Sequence, residues 1–261
     1  MKDITKILVP FDVSTSTNNA IEYAINFARD DKNIEILLIH VNESGDNSLQ
    51  KSITETIGNI KKAYPLFRGT INWTLKTGDL IDNILETQKQ EQMHLVIMGT
   101  KGADEETEIT NTSRLVLKAD CPVIAIPENS KEFAVEKIAL VLGKNEIDDA
   151  SVLEILLDIA RRFHSEVHVL TICNENESYG YSEVDEKNEK VLEYYLEKFY
   201  SHHTFQENTD IEKGIFDYIN DKGIDLLAIL PRNHATKNKP SEGRLTKLLT
   251  LHTEIPLLTI D

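Results

Sequence analysis

Eight histidines and two cysteines are the side chains best equipped for metal or nucleophilic chemistry, and their spacing argues against both. His164 and His168 are four apart, but the surrounding pattern puts the first at a helix end and the second on a strand, so they share no helix face. His202 and His203 are adjacent and read as exposed at a helix end, with no third ligand nearby. His40 and His94 flank apolar runs and read as packing or edge residues. Cys121 and Cys173 lie inside apolar runs, the pattern of buried free thiols in a reducing compartment. The chain holds no G-x-S-x-G turn, no H-x-G-H and no G-x4-G-K-(S/T) loop. With no nucleophile beside a base, the expectation is a protein that is not an enzyme and has no metal site.

Composition narrows the field further. At 261 residues, 40% hydrophobic and 28% charged, the chain has the make-up of soluble globular domains. A net charge of −16 opposes nucleic-acid binding, which needs a basic footprint to neutralise phosphates. There is no apolar run of membrane-spanning length, and MKDITKILVPFD lacks the apolar core of a signal peptide. A cytoplasmic location with neither nucleic acid nor membrane as partner is therefore expected.

The elements that must position any site occur twice. KILVPFDVS, LVIMGTKG and CPVIAIP in the first half answer to KIALVLGKN, LLAILPRN and IPLLTI in the second. Lys6 precedes Lys137 by 131 residues and Leu95 precedes Leu227 by 132, so one unit is duplicated at domain length. The predicted division is 1–127 and 137–261, joined by a short polar linker at 128–136. In each half, short apolar runs alternate with amphipathic segments, which predicts five strands of a parallel sheet wrapped by helices. For the first half the strands read as 6–10, 35–41, 70–77, 95–98 and 123–126, with helices over 16–29, 48–64, 80–90 and 110–118. For the second they read as 138–142, 166–173, a short strand near Thr204, 225–230 and 256–260, with helices over 148–163, 183–201, 211–222 and 244–251. The fold class is α/β: two doubly wound five-stranded parallel-sheet domains in tandem, Rossmann-like. Ligands of such sheets sit at the carboxyl ends of the strands, where strand order reverses.

On ILVPFDVS, VNE, GDLIDNIL and above all IMGTKG followed by TNTSRLVLKADCPVIAIP, the sequence resembles the universal stress proteins in their tandem two-domain, UspA-like form. The resemblance covers essentially the whole chain and implies an adenine nucleotide alpha hydrolase-like fold. It also implies a nucleotide site of the form G-x2-G-x9-G-(S/T), whose glycines let backbone amides approach phosphates. Carried over position by position, it assigns Gly99 and Gly102 to the first two glycines and Ile109 to the third. Thr110 takes the hydroxyl position, with Asn111 and Thr112 opening the helix. Asp12, Val41 and Met98 take the adenine and ribose positions.

The phosphate end departs from the pattern. Ile109 replaces a glycine, and the loop 103–108 has six residues where the pattern has nine. Asp104, Glu105, Glu106 and Glu108 would stand near a triphosphate, each repulsive pair costing about 1 kcal/mol unless Mg2+ bridges them. In the second half Gly143, Cys173 and Pro231 replace Asp12, Val41 and Gly99, and Pro231 removes a backbone donor. Arg232, Lys237, Lys239, Arg244 and Lys247 there read as a solvated charged loop.

ATP, with Mg2+, is thus implied for the first domain only and none for the second. Three functions remain open: a stress-response binding and regulatory module working through an unidentified protein partner, an ATP-binding switch or slow ATPase, and a pocket remodelled for another small molecule or metal. The resemblance also implies that the two domains pair through their last strands within one chain, a pseudo-dimer to which homodimerisation of the whole chain could add.

Overall fold

The computed structural model describes residues 3–12, 14–29, 31–42, 49–103, 109–130, 132–143, 147, 150–173, 182–230 and 243–260. The chain separates into two compact units. The first consists of Ile4–Phe133 with Thr250–Glu254, the second chiefly of Ala134–Leu249 and Ile255–Asp261.

In the first unit β1 (Lys6–Pro10), α1 (Thr15–Ala28), β2 (Glu35–Asn42), α2 (Leu49–Ala63), β3 (Thr70–Thr77), α3 (Leu80–Gln90), β4 (Leu95–Thr100), α4 (Asn111–Val116) and β5 (Val123–Pro127) follow one another. The strands are parallel in the order β3-β2-β1-β4-β5. Order reverses between β1 and β4, so the carboxyl ends of β2, β1 and β4 border one crevice. The core strands are buried runs such as Ile7, Leu8, Val9 and Leu95, Val96, Ile97, as expected of a sheet covered on both faces.

Local signals set the helices. Gly78 takes φ +118 and Asp79 caps α3, its Oδ1 accepting the Ile81 and Asp82 amides at 2.9 and 3.0 Å. Ser14 caps α1, and Ala20, Ala24 and Ala28 line its buried face, which lets the helix lie close to the sheet.

The second unit repeats the plan with β6 (Lys137–Val141), α5 (Leu153–Phe163), β7 (Glu166–Cys173), α6 (Glu183–Leu196), β8 (Tyr200–Glu207), α7 (Ile211–Lys222), β9 (Leu226–Ile229), α8 (Arg244–His252, its last residues from Thr250 counting with the first unit) and β10 (Leu257–Thr259). Its order is β8-β7-β6-β9-β10, again parallel.

Segment 128–136 divides between the units. Glu128 donates its amide to the Thr100 carbonyl at 2.9 Å, whereas the amides of Glu136 and Lys137 go to Asp225 Oδ2, each at 2.9 Å. Among the described residues no helix is long and apolar enough to cross a membrane.

The predicted helix over 183–201 is shorter in the structure. Glu197 adopts φ 51 and ends α6 at Leu196, a 3-10 turn follows, and Tyr200 already starts β8, which runs eight residues instead of a short stretch near Thr204. His202 and His203 consequently sit on a strand and not at a helix end, and only His202 is exposed. The β-branched and aromatic character of YSHHTFQE, paired along β7, outweighs the helical spacing of Leu192, Leu196 and Phe199.

At α7, Asp210 caps through Oδ1 to the Lys213 amide at 3.1 Å. Asp210→Ala is expected to destabilise that helix by about 1 kcal/mol, seen as a roughly fivefold faster amide exchange across Ile211–Lys222.

Candidate functional site

Asp12 follows β1, Val41 is near the end of β2, and Met98 and Gly99 are near the end of β4, so parallel pairing brings all four to the same edge of the sheet. Asp12 is exposed, Val41 half-buried and Met98 buried. Asp12 Oδ1 accepts the Ser14 amide at 2.9 Å and the Thr17 hydroxyl at 3.0 Å. Partial burial pushes the Asp12 carboxyl up. The Ser14 and Thr17 hydrogen bonds and the Lys101 charge outweigh it and hold the group below the usual carboxylate range. For Ser14 and Thr17 the one signal in the sequence is the STST run after Asp12, which reads equally well as a helix cap; Lys101 has none.

The phosphate end is arranged differently from what the resemblance implies. A Cβ on Gly99 would overlap the carbonyl group of Ser16, so the backbone that approaches Gly99 is the start of α1. Gly102 has φ +70, and a Cβ there would lie 2.5 Å from the Leu251 carbonyl oxygen, a residue that packs with this unit. The amides are engaged as well: Gly102 donates to Thr100 Oγ1 at 3.1 Å and Ala103 to the Leu251 carbonyl at 3.3 Å.

Thr110 caps α4 by accepting the Ser113 amide at 3.1 Å, and Thr112 Oγ1 donates to the Gly99 carbonyl at 3.1 Å. Asn111 is exposed and takes a hydrogen bond from Arg114 at 3.3 Å, while the same guanidinium reaches Asp79 at 3.1 Å. Ile109 points to solvent, 70% exposed. The α4 helix has only six residues, so its dipole is small. Asp12, Val41, Met98 and Gly99 thus share one strand edge, whereas the Gly102 and Ala103 amides are engaged within the protein.

Asp104, Glu105, Glu106 and Glu108 lie outside the described residues, as do Pro231, Arg232, Lys237 and Lys239. In the second unit Gly143 is exposed after β6 and Cys173 is half-buried at the end of β7, whereas Cys121 is buried. Both cysteines were expected to be buried. Cys173 differs because the terminal residue of a strand is less covered than its interior. Arg244 and Lys247 belong to α8.

Two clefts of about 610 and 670 Å3 lie elsewhere, one lined by Ile57, Lys61, Ile71 and Trp73 and the other by His164, Glu166, Phe199 and Tyr200. Each borders the amino end of its own unit's edge strand, β3 or β8. Among the described residues no group of three His, Cys, Asp or Glu side chains could hold a metal ion. His40 Nδ1 lies 2.7 Å from the Phe11 carbonyl and His94 Nδ1 takes the Thr5 amide at 3.1 Å, both packing roles.

No protein-family model and no curated protein sequence matches this chain. Solved structures do. The universal stress protein of Archaeoglobus fulgidus matches at a TM-score of 0.76 with 13% identity, covering 98% of each chain. The chain has the tandem universal stress protein fold. A Pseudomonas aeruginosa protein assigned to the universal stress proteins matches at 0.67 with 14% identity, over 98% of this chain and 93% of that one. A single-domain universal stress protein of Arabidopsis thaliana with AMP bound covers 50% of this chain and 96% of its own at 24% identity. Its TM-score is 0.39. In universal stress protein terms both retained glycines have a packing reason in this chain, so their presence does not speak for a phosphate.

Proposed function

We propose that this chain is a universal stress protein that acts as a cytoplasmic binding and regulatory module of a stress response, not as an enzyme, and that neither domain holds ATP. The observation that carries this reading is at Gly99 and Gly102. The side of each glycine that lacks a Cβ is filled by the backbone of Ser16 or Leu251, and the loop amides of Gly102 and Ala103 already donate within the protein. A buried or engaged donor has nothing left to offer a ligand unless the internal bond breaks first.

Asp12 favours a second reading. Its carboxylate, held below the usual range on the strand edge it shares with Met98 and Val41, supports recognition of a ribose hydroxyl, and an ATP-dependent switch would use it.

Denaturing the purified protein and chromatographing what it releases separates the two. The expected result is no adenine nucleotide and no thermal shift with millimolar ATP and Mg2+. Co-purified nucleotide that disappears in Asp12→Ala would replace the first reading by the second.

A further inference from the structure

We propose that the β7–β8 edge of the second unit, with α7 laid over it, is a latch that loosens on mild acidification. The proposal is independent of the nucleotide question. His168 of β7 is only 4% exposed, and its cross-strand register partner is His202 of β8, with ring centroids 4.8 Å apart. Tyr218 of α7 joins them: its hydroxyl lies 3.1 Å from His168 Nδ1, 3.5 Å from His202 Nε2 and 3.4 Å from Thr204 Oγ1. His168 Nε2 is buried and lacks a hydrogen-bond partner.

The charges facing His168 come from its own strand, from β6 and from β8. Glu166 Oε2 is 3.6 Å from Nε2, but that side chain is half exposed and its other oxygen accepts the Ser201 hydroxyl at 2.5 Å. Lys137 of β6 and His202 of β8 oppose a positive charge on the ring; α7 contributes Tyr218. Burial is the largest influence and holds the His168 imidazole below its usual range; Glu166 pulls the other way without cancelling it.

His203, on the opposite face of β8, adds to the effect. Its Nε2 lies 2.9 Å from Thr171 Oγ1, its Nδ1 is buried without a partner, and burial likewise lowers it against the pull of Glu189 and Asp185 on α6.

A histidine that is neutral when closed and charged when open gives stability that is fully present above its ordinary titration range and is lost as pH falls toward its folded value. The first unit supplies the control. Lys6 pairs with Glu35 as Lys137 pairs with Glu166, so Leu37 occupies the place of His168, and Leu37 and Leu38 face Asn72 and Trp73 where His168 and Val169 face His202 and His203.

Hydrogen exchange on the full chain at pH 7.5 and 5.5, corrected for intrinsic rates, tests this. Opening of β7, β8 and α7 should rise on acidification by at most about tenfold per histidine, with β1, β2 and β3 unchanged by comparison. His168→Leu, which installs the residue of the first unit, should remove the His168 share. Titration of the histidine ring protons by NMR in the unaltered protein gives a second readout, with His168 and His203 expected below the ordinary value of about 6.5. Unchanged acid loosening in His168→Leu, protection that rises on acidification, or a His168 midpoint above that value would each overturn the proposal.

Discussion

Gly99→Ala is expected to destabilise the first unit by about 3 kcal/mol or more, although it adds a single methyl group. Gly99 has no positive φ, so backbone strain contributes nothing. The cost is steric. The added Cβ would lie well inside the 3.0 Å that real Cβ atoms keep from their neighbours, and what it meets is the carbonyl of Ser16, which cannot rotate away as a side-chain tip can. Relief requires the first turn of α1 to move off β4. That turn also carries the Ser14 amide and the Thr17 hydroxyl that hold Asp12. The chain's single tryptophan, Trp73, stands on β3 of this unit, so urea unfolding followed by its fluorescence reads the first unit without contribution from the second. An unfolding midpoint within error of the parent would mean that α1 does not seat against Gly99 in solution.

The two glycines mark the limit of what a motif conveys. A glycine beside a phosphate and a glycine beneath another backbone leave the same letter in the sequence, because both answer to the absence of a Cβ. Ser16 and Gly99 are far apart in the chain, as are Leu251 and Gly102, so neither contact leaves a local signal.

Where signals are local they can be read. The helices over 80–90 and 211–222 have the predicted bounds because Asp79, Asp210 and Gly223 punctuate them, and the strands 70–77 and 166–173 follow from their β-branched alternation. The end of α6 could not be read. The residue that turns there is Glu197, not glycine or asparagine, and Phe199 continues the spacing of Leu192 and Leu196 past the break. That one boundary displaced His202 and His203 from the strand where they meet His168 and Thr171. The gathering of Asp12, Val41, Met98 and Gly99 was legible in a different way, from the rule that a doubly wound sheet opens at its carboxyl edge. What fills that edge depends on tertiary contacts.

Phe27→Ala is expected to have the other large effect, about 3 to 5 kcal/mol against the first unit. Phe27 is fully buried in α1, on an inner face that it shares with Ala20, Ala24 and Ala28 and with Ile21, Tyr23 and Ile25. The alanines let the helix axis approach the sheet, and the Phe27 ring is the largest side chain of that helix with no exposed surface. Neighbours already packed at native density cannot collapse into the void, so the cavity adds to the lost transfer energy. Since a domain is stable by only about 5 to 15 kcal/mol, this change removes a large share of the total. Its second consequence is electrostatic. Asp12 sits below its usual range because Ser14 and Thr17, at the start of the same helix, donate to it and Lys101 lies nearby. That contribution to stability is present at neutral pH and lost as pH falls through the folded value. With α1 less firmly seated in Phe27→Ala, the Asp12 carboxyl should titrate closer to an ordinary aspartate, and carbon-detected NMR can follow that group directly. A lower urea midpoint with an unmoved Asp12 titration would show that the cap and the carboxylate hold each other without help from the core beneath them.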